Sequence, residues 1–426
     1  MAVLKRSRAP RAKRAREPLP PGAWSRLAAC TGAAALLQLD GTLITVALPS
    51  VAHGLGVSNS STAVVLSAYF IAYALALLPG GWLVDRFGAR RLALAGLGLF
   101  AVGAGAGAVA PTIGVLVATR VVQGLGAGLV SPAALAGAVS GFPAARRGAA
   151  LGIWGASAGI ANLLGPVLGG LLTVGLGWRA NWWVLVPLAV LSAVTILREL
   201  PPTVHGEETS HPVLNDTVLT ASFVAALTFA VMIGCFYLAE QYLQRAAGFS
   251  ALGASAVLVV VALLVGLAAP FAGRLVDEHG ERLPAVMGFL AAAIGLLILG
   301  IPGMPLDSAV TLLPLIPVGL GLGMLFVPTS RAALNATPLA SHGRTSAVLS
   351  VGRLLGAAVG AGLAGLAVAG GVDASKTHDA LLIACAVCVL IGIPASTRLG
   401  RGVPPPGEPN VVGRDERSIR EAASAG

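Results

Sequence analysis

Charge is what this sequence has least of. Only 11% of its 426 residues are Asp, Glu, Lys or Arg, whereas soluble domains carry near a quarter. With a mean hydropathy of +0.85, too little polar surface is present to coat a water-soluble fold of this size. Cysteine is scarce as well. Cys30, Cys235, Cys385 and Cys388 all fall in apolar stretches. The last two have metal-like spacing, but no second pair and no neighbouring histidine accompany them, so buried inert thiols are expected rather than a metal site. No Walker-type phosphate loop and no nucleophile elbow occurs. QGLGAG at 123–128 follows no strand and lies inside an apolar segment, so it is not a dinucleotide loop. No cofactor is implied. Aromatic residues make up 5% of the chain and form no platform beside the basic N-terminal tail. Nucleic-acid binding is therefore not expected, despite a net charge of +10.

What the chain does have is long apolar runs. About 20 apolar residues span a bilayer as a helix. Twelve segments qualify, at 27–50, 62–84, 92–110, 112–138, 149–175, 181–197, 217–241, 250–273, 283–303, 308–330, 345–371 and 379–397. The expected organisation has a basic tail (1–26), a six-helix bundle (27–197), a polar linker (198–216), a second six-helix bundle (217–397) and a disordered tail (398–426). Basic residues fall in alternate loops: Arg86, Arg90 and Arg91; Arg146 and Arg147; Arg198; Arg274 and Arg282; Arg331 and Arg344. The positive-inside rule then puts both termini in the cytoplasm. Attraction of the tails to anionic lipid is a secondary expectation. A plasma-membrane location and a monomer complete the picture.

One phrase is written twice. GWLVDRFGARR (81–91) returns as GRLVDEHGER from Gly273, 192 residues later, with Gly, Leu, Val, Asp, Gly and Arg at the same offsets. Each copy follows the second helix of a six-helix unit, so the chain is a duplicated all-α bundle. Transporters of that kind bind substrate between the repeats and rock to alternate access. Gly81 allows close helix approach, and Gly88 can adopt positive φ in a tight turn. Asp85 is placed to face the positive end of a neighbouring helix. Arg86 and Arg90 can pair with acids or anchor at the membrane surface. Asp277, in a copy made acidic by Glu278 and Glu281, is expected to matter less.

At this point the chain resembles the major facilitator superfamily, over all twelve spans. GWLVDRFGARR matches that family's signature loop. The resemblance implies a cytoplasmic latch between the halves, with Asp85 near the start of the eleventh helix at Arg344–Thr345. More narrowly, the chain is similar to the drug:proton antiporters. LDGTLITVALP (39–49) resembles the first-helix signature of their fourteen-span branch, with Thr45 in place of the usual Asn. RVVQGLGAG (120–128) resembles the fourth-helix motif, whose Arg is linked to proton transfer. GIANLLGPVLGG (159–170) resembles the fifth-helix motif of exporters. FYLAEQYLQRAAGFSALGA (236–254) also looks like that branch, yet 198–217 cannot supply the branch's two extra spans.

Gly155, Gly159, Gly165, Gly169 and Gly170 leave a flat surface for close packing. Pro166 frees a carbonyl and favours a bend. A tight seam between the halves, resistant to proton leak, is expected there. Charges inside spans are functional candidates by default, at about 2.5–3.5 kcal/mol each on insertion scales. Asp40 and Glu240 are the acids so placed, and Arg120 and Arg353 the bases. An Asp40–Arg120 pair would lower the desolvation cost of both, and is expected to carry proton coupling with Glu240 as the alternative. Burial raises a carboxyl pKa and a nearby arginine lowers it. Tyr69, Gln123, Trp154, Phe236, Tyr237 and Gln241 are the expected substrate contacts. The resulting reading is a proton-driven exporter of small amphipathic compounds. Its rivals are a proton-coupled importer on the same fold and a non-transporting receptor or scaffold.

Overall fold

A computed structural model describes residues 19–57, 59–202, 213–249, 251–306, 309–368 and 373–400. Most of the expected N-terminal tail, half of the expected linker and nearly all of the C-terminal tail lie outside the described residues. Where hydrocarbon offers no hydrogen-bond partner, the backbone must satisfy itself, and a helix does so within one segment. The described chain accordingly forms helices, without strands among the described residues. Twelve are long and apolar enough to cross a membrane.

The N-terminal half consists of α1 (Ala23–Leu55), α2 (Asn59–Phe87), α3 (Ala89–Ala108), α4 (Ile113–Ser140), α5 (Arg147–Leu176) and a sixth span split into α6 (Ala180–Trp183) and α7 (Leu185–Glu199). The C-terminal half repeats the order with α8 (Asp216–Arg245), α9 (Ala251–His279), α10 (Arg282–Leu299), a split span α11 (Leu312–Met324) and α12 (Phe326–Asn335), α13 (His342–Val368) and a final span. That last span runs from α14 (Ala374–Val387) through a π-turn at Cys388–Gly392 into α15 (Ile393–Ser396). Packing repeats with the order. α2 and α3 pack on α4 as α9 and α10 pack on α11, and α1 packs on α5 as α8 packs on α13. The halves meet through α2 against α13 and α5 against α9, which are equivalent pairs under the duplication.

Glycine makes these approaches close. A Cβ at Gly126 would lie 2.6 Å from the Gly96 carbonyl oxygen, and one at Gly288 would lie 2.8 Å from that of Gly321. Without a hydrophobic drive between helices in lipid, backbone-to-backbone contact of this kind supplies van der Waals attraction.

Several helix ends differ from the hydropathy reading. The first span extends to Ala23–Leu55 rather than 27–50, and the tenth ends at Asn335 rather than 330. A helix continues until its terminal backbone groups find other partners, whatever the hydropathy of its last turn. As a consequence the arginines expected in loops are helical residues, Arg86, Arg90, Arg91, Arg147, Arg198, Arg274, Arg282, Arg331 and Arg344, with Arg146 in a 3₁₀ turn. Arg147 and Arg331 are also buried, at 7% and 2% exposure.

Candidate functional site

In α4 the glycines of RVVQGLGAG decide where Arg120 goes. A Cβ at Gly124 would lie 2.8 Å from the Ala72 Cβ and 3.0 Å from the Tyr73 nitrogen. That closeness to α2 aims Arg120, one turn earlier, into the groove between α1 and α2. There its Nη1 donates to both carboxylate oxygens of Asp40 at 2.8 Å and to Gln123 Oε1 at 3.0 Å. Its Nε donates to the Val65 carbonyl at 3.4 Å, and its guanidinium carbon stands 4.1 Å from the centre of the Tyr69 ring. The Tyr69 hydroxyl donates to the Leu37 carbonyl at 3.4 Å. Asp40, Arg120 and Gln123 are fully enclosed. Arg120 Nη2 and Gln123 Nε2 have no acceptor among the described residues.

The expected substrate contacts divide. Tyr69 and Gln123 belong to this enclosed cluster rather than to an open cavity wall, because Arg120 needs both its faces satisfied once it is out of water. Trp154 packs into the apolar core cluster that runs from the N-terminal half into α9 and α12. Phe236 lines a small apolar cavity of about 70 Å³ inside the C-terminal half, with Tyr242, Leu315 and Leu381. Tyr237 packs beside Leu238 and Ala364. Gln241 is partly buried, its Oε1 without a partner among the described residues. Glu240 accepts a hydrogen bond from Gln244 at 3.2 Å, one turn along α8, and is not brought to Asp40 or Arg120.

The second buried base, Arg353 in α13, lies between the halves. Its Nη2 donates to Ser330 Oγ at 2.6 Å, and its guanidinium carbon stands 4.1 Å from the Phe326 ring centre. On the opposite half, the Tyr73 hydroxyl donates to Ser131 at 3.0 Å. Tyr73, Ser131 and Phe326 are only partly buried. Serine, tyrosine and phenylalanine at these places carry no signal in the sequence; α12 packed beside α13 brings Ser330 and Phe326, and α2 packed against α13 brings the Tyr73 side.

The duplicated phrase meets the other half at one end of the bundle. Asp85 accepts from the Gly343 nitrogen at 2.7 Å, the Arg344 nitrogen at 3.2 Å and Arg344 Nε at 2.7 Å. These are the first residues of α13, whose free N–H groups carry partial positive charge. Asp277 accepts from the Gly148 and Ala149 nitrogens, each at 2.9 Å, at the start of α5. Geometrically it therefore does what Asp85 does. Gly88 and Gly280 both adopt positive φ, 87° and 81°, turning the chain from one helix to the next. Gly81 sits where a Cβ would lie 2.7 Å from the Gly343 carbonyl oxygen. Arg86 lies over the rings of Trp82 and Phe87, 5.1 and 5.5 Å from their centres. Arg90 is partly buried in the first turn of α3.

The receiving segments form a second repeat that the sequence reading missed. Pro143 stands five residues before Gly148 and Pro338 five before Gly343, each followed by a 3₁₀ turn. Proline fixes φ ahead of the helix, so the following N–H groups are presented to the carboxylate. The signal was legible as P-x-x-x-x-G at matching places in the two halves. Around it, Arg331 donates to Glu281 at 3.1 Å and lies 3.6 Å from Asp277, while Arg147 donates to the Leu334 carbonyl and to Asn335.

The expected fifth-helix seam is corrected by its partners. Gly165 and Gly169 face α1 of their own half, where a Cβ at Gly165 would lie 2.7 Å from the Thr42 Cβ and one at Gly169 would lie 3.1 Å from the Leu43 carbonyl carbon. Pro166 is exposed, and Gly170 is only in ordinary contact with Val46. The face toward the other half is made by Gly155 and Gly159 of the expected surface, continued by Gly148 and Gly152. At Gly152 a Cβ would lie 2.8 Å from the Ala269 carbonyl oxygen, and at Gly159 one would lie 3.1 Å from the Gly266 Cα. One helix cannot present a single stripe to two neighbours. α5 meets α9 along one stretch and α1 along the next.

Comparison with known proteins agrees with this architecture. The Major Facilitator Superfamily profile matches residues 30–361 and 219–423. The uncharacterized MFS-type transporter Rv1250 of Mycobacterium tuberculosis is 30% identical over 82% of this chain and 72% of its own. Multidrug resistance protein Stp of the same species is 27% identical over 80% of this chain and 75% of its own. Puromycin resistance protein pur8 of Streptomyces alboniger is 30% identical over 80% and 81%. Among solved structures, the E. coli fucose:proton symporter FucP superposes with a TM-score of 0.70 over 87% of this chain and 97% of its own, at 15% identity, a likeness of fold. With twelve membrane-crossing helices in two repeated bundles, the chain is a multi-pass membrane transporter and belongs to the Major Facilitator Superfamily.

Proposed function

We propose that the protein exports small amphipathic, drug-like compounds in exchange for protons, by alternating access between its halves. The observation that carries this reading is the enclosed Asp40–Arg120 pair. A buried ion pair adds little to stability over an apolar pair of the same size, and ionisable groups within spans mark ion and proton pathways. Arg120 holds fallback partners in Gln123, the Val65 carbonyl and the Tyr69 ring. When Asp40 takes a proton and becomes neutral, those groups keep the guanidinium in place. When Asp40 releases the proton, Arg120 stabilises the carboxylate again. The proton thus changes the attraction between α1 and α4 without stranding either group. One proton moving down about 100 mV releases about 2.3 kcal/mol, which sustains roughly a 40-fold gradient of a neutral compound at one-to-one exchange.

The names of Stp and pur8 speak of drug resistance, which supports export. The basic residues at the end of the bundle that carries the duplicated loops support a cytoplasmic assignment of that end and of both termini, in the plasma membrane. There Asp85 and Asp277 act as the latch, each gripping a helix start of the opposite half. The test is flux of a panel of small amphipathic compounds, acids and amines alike, into everted vesicles under an imposed pH gradient, at matched expression. Asp40→Asn is expected to abolish gradient-driven flux while exchange of bound compound continues, since an amide mimics the neutral acid. Gradient-dependent flux in both Asp40→Asn and Glu240→Gln would overturn proton antiport.

A further inference from the structure

Proton coupling through Asp40 leaves one charge between the halves unused. Arg353 is 8% exposed and forms no ion pair among the described residues. Its only hydrogen bond there is to the neutral Ser330, and its Nε has no acceptor. Two rings flank the guanidinium, Phe326 at 4.1 Å and Phe229 at 5.9 Å. Across the junction of α13 with α2, the Tyr73 hydroxyl of the other half is close enough to interact with it electrostatically. The contrast with Arg120 is one of charge. Asp40 neutralises Arg120, so the central charged groups Asp40, Arg120 and Arg353 sum to one positive charge. A cation in a span is costly, and cation–π contacts offset that without neutralising the charge. A guanidinium is also the side chain best shaped for a planar oxyanion, which takes two of its donors at once.

We propose that Arg353 is the anion-recognising residue of the substrate site, and that the transported compounds carry a carboxylate or similar oxyanion on an apolar, commonly aromatic body. The free Nε receives the oxyanion, Tyr73 and Ser330 supply neighbouring hydroxyls, and Phe326 and Phe229 receive the body of the molecule. Because Tyr73 and Arg353 belong to opposite halves, a compound held there touches both, as alternating access requires. This rests on the export reading only in placing the compound between the halves.

The experiment uses the full-length protein in lipid nanodiscs and three probes of one shape: 4-phenylbutyrate, 4-phenylbutanol and 4-phenylbutylamine. Binding is measured by calorimetry at pH 7 without a pH gradient, with empty nanodiscs subtracted. The carboxylate is expected to bind about tenfold more tightly than the alcohol, or about 1.4 kcal/mol, and the amine most weakly. Arg353→Gln is expected to bring acid and alcohol to the same affinity, and Arg353→Lys to keep part of the preference. Absence of carboxylate binding, an acid no tighter than the alcohol, or an unchanged preference in Arg353→Gln overturns the proposal. The wild-type comparison decides by itself if the variants misfold. Since no gradient is used, loss of proton-driven flux and loss of anion preference are separate results.

Discussion

In the N-terminal half, the buried guanidinium of Arg120 meets a carboxylate at 2.8 Å, an amide, a backbone carbonyl and a tyrosine ring. In the C-terminal half, the buried guanidinium of Arg353 meets one hydroxyl and two phenyl rings. At the basic end the same halves are alike, each offering a carboxylate to the first N–H groups of the other's fifth helix. On the proposed reading the latch engages from both sides to close the bundle, so the duplication keeps both grips. The interior charges are freed from that symmetry and can take different tasks. A paired arginine can answer a proton, and an unpaired one can answer a ligand.

The largest expected effect breaks the comparison at Arg120. Arg120→Ala leaves Asp40 enclosed without a counter-charge, and breaking such a pair costs about 3–5 kcal/mol. A strongly lowered unfolding temperature in detergent is expected. Removing both charges, in Asp40→Asn with Arg120→Gln, is expected to recover much of that stability without recovering proton-driven flux. An equal loss in the single and double variants would mean that the pair is not the source of the cost.

Next come the two latch carboxylates. Hydrogen bonds to a charged group contribute about 1.5–3 kcal/mol. Asp85→Asn and Asp277→Asn are each expected to lengthen spin-label distances between α2 and α13, or between α5 and α9, at the basic end. Comparable shifts would support the symmetry of the two grips. A shift in Asp85→Asn alone would restore the lesser place that the acidic second copy suggested.

Gly165→Leu presses a branched side chain onto Thr42 and Leu43 of α1, and overpacking costs about 1–3 kcal/mol. The loss is expected in the stability of the N-terminal half, read by thermal unfolding. Gly159→Leu, facing Gly266 of α9, is expected to change the distance between the halves instead. Arg353→Ala removes no partner from a carboxylate; it gives up cation–π contacts of about 0.5–2 kcal/mol but also relieves an unpaired buried cation, so a small net change is expected. That contrast with Arg120→Ala is measurable in the same unfolding assay. Smallest is Glu240→Gln, which exchanges a carboxylate bonded only to Gln244. A stability change within about 0.5 kcal/mol, the usual range away from special features, and retained pH-driven flux are expected.

The sequence by itself determined the helical class, the number of spans and the duplication. These depend on local quantities: the length of an apolar run against the thickness of hydrocarbon, and a phrase recurring at fixed offsets. It also brought Asp40 and Arg120 forward, because an ionisable residue in an apolar run is conspicuous without any partner in view. What surrounds them was decided only in three dimensions. Gln123 and Tyr69 read equally well as cavity wall or as arginine partners until the glycines of α4 set its distance from α2. Gly165 and Gly159 carry the same flat surface, and hydropathy has no term for which neighbour a surface meets. Arg147 and Arg331 passed for loop residues because helix ends follow backbone hydrogen bonding rather than polarity. The surroundings of Arg353 combine residues from α2, α8 and α12, none of them conspicuous alone. Packing within the C-terminal half brings Ser330, Phe326 and Phe229 to the guanidinium, and the meeting of α2 with α13 adds Tyr73 of the other half.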